Sequence, residues 1–409
     1  MGALSHLHIL DLSRVLAGPW ASQLLGDMGA DVIKIEHPRK GDETRGWGPP
    51  WLADGQGVPT RESAYFGSAN RNKRSLGLDI TQPEGQEIVH RLAARADVVL
   101  ENFKVGGLQP YRLDYASLRA INPQLVYCSI TGFGQEGPYA ARAGYDFLIQ
   151  GMGGLMSITG PAEGEAGSGP QKVGVALTDI LTGLYATNAV LAALAFRDRD
   201  GFRRGEGQYI DLALLDVQVA CLANQAMNYL TTGISPQRMG NGHPNIVPYQ
   251  DFPTADGAMI LAIGNDGQFQ RFCAVAGATD LADDPAFASN EARVRNRTAL
   301  LPRLKRITVT RTTEDWIAAL ENNAVPCGPV NDLAHVFADP QVRFRGLQFE
   351  LRHTLGGMIP QVANPVRFSR TPVEYRRAPP VLGEDTASIL ESLGLTAADV
   401  ARLHAAGVI

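Results

Sequence analysis

The fold class is decided by the segment His8-Ile-Leu-Asp-Leu-Ser-Arg-Val-Leu-Ala-Gly-Pro-Trp-Ala-Ser-Gln-Leu-Leu-Gly-Asp-Met-Gly-Ala-Asp-Val-Ile-Lys-Ile-Glu36. It opens with a short apolar run at residues 8–12 and closes with a second one at residues 31–36. Between them, a helix-length stretch carries Pro19 where a first helical turn tolerates proline. Short apolar runs separated in this way are typical of two parallel strands joined by a helix. The segment therefore predicts a strand–helix–strand unit.

The same alternation continues along the N-terminal half of the chain. Helical spacing at 83–94 precedes an apolar run at 97–101, and a short helical pattern covers 115–121. Further apolar runs follow at 125–130 and 208–212, and residues 213–230 are predicted to form another apolar helix. Apolar strands that alternate with helices indicate an α/β protein with a Rossmann-like, doubly wound parallel sheet. A second region with mixed strand and helix signals, predicted to be a smaller α+β domain, runs from about 235 to 325.

Composition limits the class of protein. The chain has 409 residues, of which 44% are hydrophobic and 19% charged, and its formal net charge is −5. We expect a globular protein of two or three domains without a nucleic-acid or membrane partner. The four cysteines and eight histidines form no metal-binding or disulfide pattern, so no metal site is predicted. The N-terminus lacks a signal-peptide pattern, and we expect a cytoplasmic location.

Asp179 is the leading candidate for chemistry. It follows the loop Gly174-Val-Ala-Leu-Thr and precedes apolar residues at helical spacing, which places it at or near the N-terminus of a long helix. Backbone donors and the helix dipole favour an ionised carboxylate there by roughly 0.3–1 kcal/mol. Such a carboxylate in an apolar setting can act as a nucleophile. A helix N-cap explains the same pattern, and the segment alone leaves both interpretations open.

Several loops are candidates for ligand binding. The turn after the first strand lacks G-x-G-x-x-G, which disfavours an NAD dehydrogenase but leaves another adenine nucleotide open. Asn102-Phe-Lys-Val-Gly106 follows a strand, so Phe103 either stacks on a base or fills the core. Asn70-Arg-Asn-Lys-Arg-Ser75 either contacts phosphates through Lys73 or Arg74 or is a solvated basic loop. Gly240-Asn-Gly242 is either a simple turn or a flexible loop that offers N–H groups to an oxyanion.

Taken in order, short segments along nearly the whole chain resemble the class III CoA-transferases (CaiB/BaiF type), the family of formyl-CoA:oxalate and carnitine CoA-transferases. The segments that carry the resemblance are Val15–Pro19, Asp31–Glu36, Asn72–Leu76, Glu101–Phe103, Ile130–Gly134, Gly144–Asp146, Val175–Asp179, Gly205–Gln208, Pro326–Val330 and Leu382–Glu384.

The resemblance implies the chemistry. Asp179 would attack the thioester of the donor acyl-CoA to give a mixed anhydride, and the released thiolate would then form an aspartyl-CoA thioester. An acceptor carboxylic acid would reverse these steps, so coenzyme A is a substrate and no cofactor is expected to be tightly bound. The loop Gly240, Asn241 and Gly242 would shield the intermediates.

The resemblance also implies which residues contact CoA. They are Leu16, Ala17, His37, Arg39, Leu78, Thr81, Asn102, Phe103, Lys104, Arg112, Arg142, Tyr145 and Asp146. Two of these replace basic residues that the family places elsewhere. The basic residue that the family has shortly after the Asn102-Phe103 loop is Pro110 in this chain, and Arg112 would take its role. The position near His37 is often arginine in the family, and Arg39 would take that role.

The architecture implied by the resemblance uses both ends of the chain. Residues 1–215 would form a large CoA-binding domain, 216–234 a linker and 235–325 the small domain. Residues 326–409 would be a second linker and a C-terminal return to the large domain. The resemblance further implies a homodimer of two interlocked rings.

Other functions stay open at this stage. An α-methylacyl-CoA racemase shares the fold, but it needs a histidine where this chain has Tyr145, and a phenol of pKa about 10 is a poor base. Intramolecular CoA transfer on a diacid would use the same aspartate, and a non-catalytic CoA-binding protein belongs to another class. The acid pair is not encoded in any motif, although Arg45 or Arg142 could hold a second carboxylate.

Overall fold

The computed structural model describes residues 2–199 and 205–409. In this part of the chain the strands are β1 His8–Asp11, β2 Asp31–Glu36, β3 Trp51–Ala53, β4 Pro59–Ser63, β5 Lys73–Gly77, β6 Val98–Glu101, β7 Val126–Thr131, β8 Tyr209–Ala213, β9 Tyr249–Pro253, β10 Ala258–Ala262, β11 Cys327–Pro329, β12 Gln348–Arg352 and β13 Met358–Val362.

The helices of the same residues fall before, between and after these strands. They are α1 Ala17–Asp27, α2 Ala64–Ala69, α3 Pro83–Ala93, α4 Tyr115–Ile121, α5 Asp146–Met152, α6 Leu155–Ile158, α7 Leu177–Asp198, α8 Leu214–Ala220, α9 Ala223–Thr232, α10 Asp266–Ala276, α11 Thr279–Asp283, α12 Asn290–Arg295, α13 Arg297–Thr308, α14 Thr313–Glu321, α15 Leu333–Ala338, α16 Pro340–Phe344, α17 Thr386–Ser392 and α18 Ala397–Ala405, with short 3₁₀ turns at Glu43–Gly46 and Gln109–Tyr111.

A six-stranded sheet forms the centre of the first compact unit. Its strands lie in the order β5-β2-β1-β6-β7-β8, and every neighbouring pair is parallel. This confirms the predicted α/β fold with a parallel sheet. Numbered among themselves, the strands run 3-2-1-4-5-6, the order of the doubly wound dinucleotide-binding fold. The strand order reverses between β1 and β6, and ligands of such sheets bind at the carboxyl ends beside that point.

Both faces of this sheet are buried, which explains why its strands read as continuous apolar runs. Ile9 and Val98 pack on one face with residues of α1, α5 and α7. Leu10 and Val99 pack on the other face with residues of α3, α4, α17 and α18. The last two helices come from the C-terminal end of the chain, and the Ser75 amide of β5 donates to Asp385 just before α17.

Helix α7 is the longest helix among the described residues and carries Asp179 near its start. By length and composition it is the one described helix that could cross a membrane, which is weak evidence because buried core helices pass the same test. Here it packs closely against α1. A Cβ at Gly183 would lie 2.7 Å from the Ala17 carbonyl oxygen, so glycine is required for this approach.

Two local predictions are wrong. Residues 70–75 are neither a phosphate loop nor a solvated loop, because Lys73 and Arg74 lie in β5. Lys73 is fully buried, with its Nζ 3.1 Å from Asp11 Oδ2, and Arg74 pairs with Asp31. The single helix expected over 213–230 is broken into α8 and α9, where Ala223 adopts a φ of 45°.

The compact units differ in detail from the domain bounds expected from the sequence. The first comprises Met1–Gly154, Val173–Ala226 and Pro340–Ile409, and the second comprises Leu155–Lys172 and Met227–Asp339. The second unit contains the antiparallel sheet β11-β10-β9, packed with helical residues around a core that includes Phe269 and Trp316.

Candidate active site

Asp179 is the third residue of α7 and does not cap it. The N-cap residue is Ala176, so the N-cap interpretation of Asp179 is wrong. The first-turn amides are instead bound by Asp146, the first residue of α5. Its Oδ1 accepts from Thr178 N at 2.8 Å and from Asp179 N at 3.4 Å. The helix-terminal donors that were expected to stabilise Asp179 therefore serve a second carboxylate.

This arrangement changes the protonation of Asp179. Burial and then the nearby charge of Asp146 raise the pKa of Asp179 from 3.8 to about 7. The expectation that the helix terminus keeps this carboxylate firmly ionised is overturned, because both causes favour the neutral form. Near neutral pH the side chain exists in both forms. A carboxylate with so high a pKa is a better nucleophile when ionised than an ordinary aspartate.

A cavity of about 150 Å³ brings Asp179 together with many of the predicted CoA-contact residues. The predicted residues that line it are Leu16, Ala17, Asn102, Phe103, Lys104, Arg142 and Tyr145. Leu16 and Ala17 follow β1, whereas the 102–104 loop follows β6, so the cavity opens at the point where the strand order reverses. The sheet topology thus explains why loops far apart in sequence surround one carboxylate.

A second cavity, of about 400 Å³, contains three more predicted residues: His37, Leu78 and Thr81. Arg14, Glu43 and Phe103 line both cavities. The two cavities therefore adjoin along the β1 and β6 loops, as an elongated ligand such as an acyl-CoA would require.

The loops that separate the cavities are fixed to each other. Asn102 Oδ1 accepts from Arg14 N at 2.9 Å, and Asn102 Nδ2 donates to Arg14 O at 2.7 Å. The Arg14 guanidinium lies 5.1 Å from the centre of the Phe103 ring and also pairs with Glu43 at 2.5 Å. Phe103 both lines the cavities and packs against the core, so the two interpretations offered for it are compatible.

Three predicted contacts lie outside these cavities. Arg39 is exposed, with its guanidinium beside Gly407. Arg112 is exposed and bonds through its carbonyl oxygen to the His90 ring. Asp146 lines neither cavity, because its carboxylate is turned to the start of α7. CoA contacts by Arg39 and Arg112 stay predictions, and the structure gives Asp146 a different set of partners.

The two arginines considered for a second carboxylate differ sharply. Arg45 is buried and bonds to Glu36 at 2.8 Å and to Glu62 at 2.8 Å, so its guanidinium is already neutralised. Arg142 is exposed and lines the cavity of Asp179. Its guanidinium stacks 4.6 Å from the centre of the Tyr139 ring, and its Nη2 donates to Met152 Sδ at 3.9 Å, so it makes no ion pair with a carboxylate among the described residues.

Sequence reasoning missed two aromatic residues near Asp179. Burial, followed by the charges of Asp179 and Asp146, raises the pKa of Tyr65 to about 12. Trp47 is partly exposed and meets the Tyr65 ring edge-on at 5.0 Å between centroids. Trp47 follows a short 3₁₀ turn and Tyr65 lies in the short helix α2, and neither position belongs to a periodic pattern or motif that could have marked it.

The predicted loop Gly240, Asn241 and Gly242 belongs to the second unit. Gly240 adopts a φ of 58°, which favours glycine. Its N–H donates to Gly160 O at 3.0 Å, and Gly242 N–H donates to Met239 O at 3.0 Å. In this conformation both N–H groups are occupied, so presenting them to an oxyanion requires the loop to rearrange.

Metal chemistry has no candidate site in residues 2–199 and 205–409. No group of three or more His, Cys, Asp or Glu side chains in these ranges could hold a metal ion.

Known proteins provide an independent comparison. The family model of CoA-transferase family III matches residues 4–386. A succinate–glutarate CoA-transferase of Agrobacterium fabrum is 52% identical over 392 residues, which cover 95% of each chain. A human succinyl-CoA:glutarate CoA-transferase is 42% identical over 407 residues, covering 99% of this chain and 90% of the human one. A crystal structure of a CAIB/BAIF family protein from Brucella suis is 50% identical, with a TM-score of 0.82 over 96% of this chain and 99% of that chain.

The chain belongs to CoA-transferase family III. The resemblance on which the sequence analysis relied is confirmed. The relatives' names support CoA transfer between an acyl-CoA and an acid as the class of reaction.

Proposed function

We propose that this protein transfers CoA from an acyl-CoA thioester to a carboxylic acid, with Asp179 as the nucleophile. The observation that carries the proposal is the position of Asp179. Its carboxylate lies in a cavity formed by the β1 and β6 loops, and burial together with Asp146 raises its pKa to about 7. A carboxylate of this kind combines an available ionised form with high nucleophilicity.

The reaction balances without another reactant. Ionised Asp179 attacks the thioester carbonyl, the carbon–sulfur bond breaks, and CoA leaves as a thiolate with a mixed anhydride on the enzyme. The thiolate then attacks the aspartyl carbonyl, which gives an aspartyl-CoA thioester and releases the donor acid. The acceptor carboxylate repeats these steps in reverse. Covalent catalysis keeps the thioester energy in the site while water is excluded.

The acids are proposed to be short dicarboxylic acids. The relatives at 52% and 42% identity are named for succinate, succinyl-CoA and glutarate, and more distant relatives are named for mesaconate. A second carboxylate needs a cation near the nucleophile. Arg142 supplies one, because it lines the cavity of Asp179 and stacks on Tyr139. We therefore assign Arg142 to the distal carboxylate and the adjoining larger cavity to CoA.

The CoA moiety is proposed to contact the residues shared between the two cavities and those of the larger one. Phe103 lies at their junction, whereas His37, Leu78 and Thr81 line the larger space. Lys104 is exposed and lines the smaller cavity, and it provides a positive charge for a CoA phosphate.

The assembly is proposed to be an interlocked homodimer in the cytoplasm. Large apolar side chains are strongly exposed in the single chain, including Leu230 at 72%, Ile234 at 73% and Phe344 at 82%. Exposed apolar groups of this size are typical of surfaces that are covered in an assembly. Mixing two dimers with different tags tests this point, since interlocked rings exchange subunits only after unfolding.

Oxygen transfer tests the reaction itself. A single turnover with succinyl-CoA and glutarate labelled with ¹⁸O in its carboxylates should leave one labelled oxygen on the peptide that contains Asp179, and repeated turnovers should label both oxygens of that carboxylate. Hydroxylamine should trap an aspartyl-CoA thioester at the same residue. The Asp179→Asn protein should carry neither product, whereas Glu391→Gln, at an exposed carboxylate of α17, should retain both.

The alternatives predict different results. A racemase would exchange the α-proton of a 2-methylacyl-CoA with deuterated water and would leave no label on Asp179. Glutaryl-CoA formation without label on Asp179 would refute the nucleophile. Binding of CoA without turnover of any thioester would indicate a non-catalytic protein.

A further inference from the structure

Asp146 lies beside Asp179, the proposed nucleophile, and its carboxylate accepts more hydrogen bonds than capping of α7 alone would require. Asp146 begins α5, and its Oδ1 accepts from the amides of Thr178 and Asp179 at 2.8 and 3.4 Å. Its Oδ2 accepts from Gln150 Nε2 at 2.8 Å. Both oxygens are therefore engaged, and the carboxylate cannot turn without losing a bond.

The residues that hold Asp146 are themselves buried and fixed. Gln150 is fully buried, and its Oε1 accepts from Val173 N at 2.9 Å. On the other side of the first turn of α7, Thr178 Oγ1 donates to Gln218 Oε1 at 2.7 Å, and both residues are buried. The start of α7 is thus clamped between α5 and α8. Such networks of satisfied polar groups specify one arrangement.

The clamp has a chemical consequence for Asp179. Because Asp146 takes the first-turn N–H groups, those donors do not neutralise the nucleophile, as they would if Asp179 capped its own helix. Asp146 instead places a like charge beside Asp179. Two neighbouring carboxylates repel each other only while both are ionised.

We propose that Asp146 is a positioning residue for CoA transfer, which fixes the first turn of α7 and holds a negative charge against Asp179 so that acylation of Asp179 relieves the repulsion. The proposal rests on the proposed nucleophilic role of Asp179. When Asp179 is ionised, the free enzyme carries two adjacent anions. In the mixed anhydride the charge of Asp179 has passed to the CoA thiolate, and in the aspartyl-CoA thioester it has passed to the released donor acid, so Asp146 no longer faces a charged Asp179. The charge pair therefore favours formation of both covalent intermediates.

Charged or titratable groups on α5 and α8, which contact α7, beside Asp179 or in the wall of its cavity must be considered in any pH experiment. They are Asp146 on α5, Asp216 on α8, Tyr65 on α2, and Arg14, Glu43, Lys104, Arg142 and Tyr145 in the cavity wall. Burial is the largest cause of the shifted pKa of Asp179, and the charge of Asp146 is the second. Removing the charge of Asp146 should therefore lower the pKa of Asp179 without returning it to the ordinary value.

The test compares Asp146→Asn and Asp146→Glu with the unaltered protein. Asn keeps an oxygen that can accept from the α7 amides but removes the charge, whereas Glu keeps the charge. The measurement is kcat/KM for succinyl-CoA between pH 5 and 9, with glutarate saturating. In the unaltered protein kcat/KM should fall as the pH drops below about 7, and this fall is the acid limb of the profile. In Asp146→Asn it should move down by about one pH unit, with a lower plateau rate, and Asp146→Glu should restore it toward pH 7.

A merely structural role gives a different pattern. If Asp146→Asn lowers kcat/KM by the same factor at every pH and leaves the limb in place, the proposal is overturned. If Asp146→Asn does not fold, as judged by its circular dichroism and melting curve, Gln150→Leu provides a second route. Loss of the Oδ2 bond should loosen the carboxylate and should move the limb in the same direction by a smaller amount. An unmoved limb in this variant would also overturn the proposal.

The same samples separate this inference from the proposed function. Hydroxylamine trapping at Asp179 in the unaltered protein reports the nucleophile, independent of any pH limb. If hydroxylamine traps the intermediate but the acid limb of the pH profile does not move in the variants, Asp179 remains the nucleophile and the role proposed for Asp146 is rejected. No trapping in the unaltered protein rejects the nucleophile first.

Discussion

Replacing the proposed nucleophile should make the protein more stable at alkaline pH. Asp179→Asn removes a carboxylate whose pKa is raised from 3.8 to about 7 by burial and by Asp146. A carboxyl group with a raised pKa binds its proton more tightly in the folded protein than in the unfolded chain. Its ionisation therefore opposes folding increasingly as the pH rises from about 4 to about 7, and the penalty is constant above that.

The size of the effect follows from the shift. A shift of about three pKa units corresponds to about 4 kcal/mol at 1.36 kcal/mol per unit. Asp179 is only partly buried and borders a cavity, so solvent screening reduces this figure to about 1–2 kcal/mol. Asparagine is nearly isosteric and carries no charge. We expect Asp179→Asn to raise the free energy of unfolding by about 1–2 kcal/mol at pH 8 and by little at pH 4.5.

Urea unfolding of both proteins at pH 4.5, 6, 7 and 8 measures this difference directly, with Glu391→Gln as the control for loss of an exposed carboxylate. The control should change stability by less than about 0.5 kcal/mol at each pH. A stability difference for Asp179→Asn that does not grow between pH 4.5 and 8 would refute the reasoning. The raised pKa would then be absent in solution, and the nucleophile would be an ordinary ionised aspartate.

Four further results are expected. In the unaltered protein, kcat/KM for the acyl-CoA should fall about tenfold per pH unit below pH 7, because Asp179 must be ionised to attack; a flat profile down to pH 5 would contradict its raised pKa. Arg142→Met should raise the KM of glutarate by about 10- to 100-fold and leave a monocarboxylic acceptor unchanged, and equal effects on both acids in steady-state assays would argue against a distal-carboxylate contact. Phe103→Ala should raise the apparent Kd for CoA in calorimetry by about tenfold or more, because the ring lines both cavities. Lys73→Met should lower the free energy of unfolding by about 3–5 kcal/mol, since it leaves Asp11 buried with less compensation; a loss below about 1 kcal/mol in urea unfolding would show that the other partners of Asp11 suffice.

Strands that are apolar on both faces were predictable from the sequence. The run at 31–36 matches β2 at both ends, and the runs at 97–101 and 125–130 match β6 and β7 to within one residue at each end. Such strands form continuous apolar runs because helices cover both sides of a parallel sheet. Helix α4 was predicted with its observed bounds for a similar reason, since its spacing and its flanking Asp114 and Asn122 mark both ends.

Strand β5, at the edge of the sheet, was not predicted, because two of its side chains are charged and form ion pairs with distant residues. Lys73 and Arg74 read as a polar loop until the sheet brings them to Asp11 and Asp31. These pairs join residues 62 and 43 positions apart in the sequence. Local patterns contain no information about partners at that distance. A strand prediction that relies on hydrophobicity therefore fails where buried, paired ions take the place of apolar side chains.

The position of the candidate site could be predicted from the sequence, but the raised pKa of Asp179 could not. Asp179 stands where an apolar helix begins, which the sequence displays directly. The element that sets its pKa is Asp146, which lies 33 residues earlier and reaches the same turn through α5. At an exposed helix terminus the dipole would lower the pKa of Asp179. Here Asp146 accepts from the first-turn amides, and burial raises the pKa instead.

The contrast between Asp179 and the buried carboxylates that pair with lysine or arginine explains why Asp179 is suited to chemistry. Asp11 is fully buried, and burial alone would raise its pKa, but Lys73 and Lys34 lower it to about 2. The pKa of Glu36 also falls, because Arg45 outweighs its burial. Asp179 experiences burial and a like charge together, so no opposing cause keeps its pKa low. Burial also raises the pKa of Glu101 to about 7, but hydrogen bonds from Ser129 and from the Phe103 amide oppose that shift, and Glu101 lines a different cavity. Asp179 has a raised pKa, no opposing partner and a place in the cavity wall, where forming an acyl bond removes its charge.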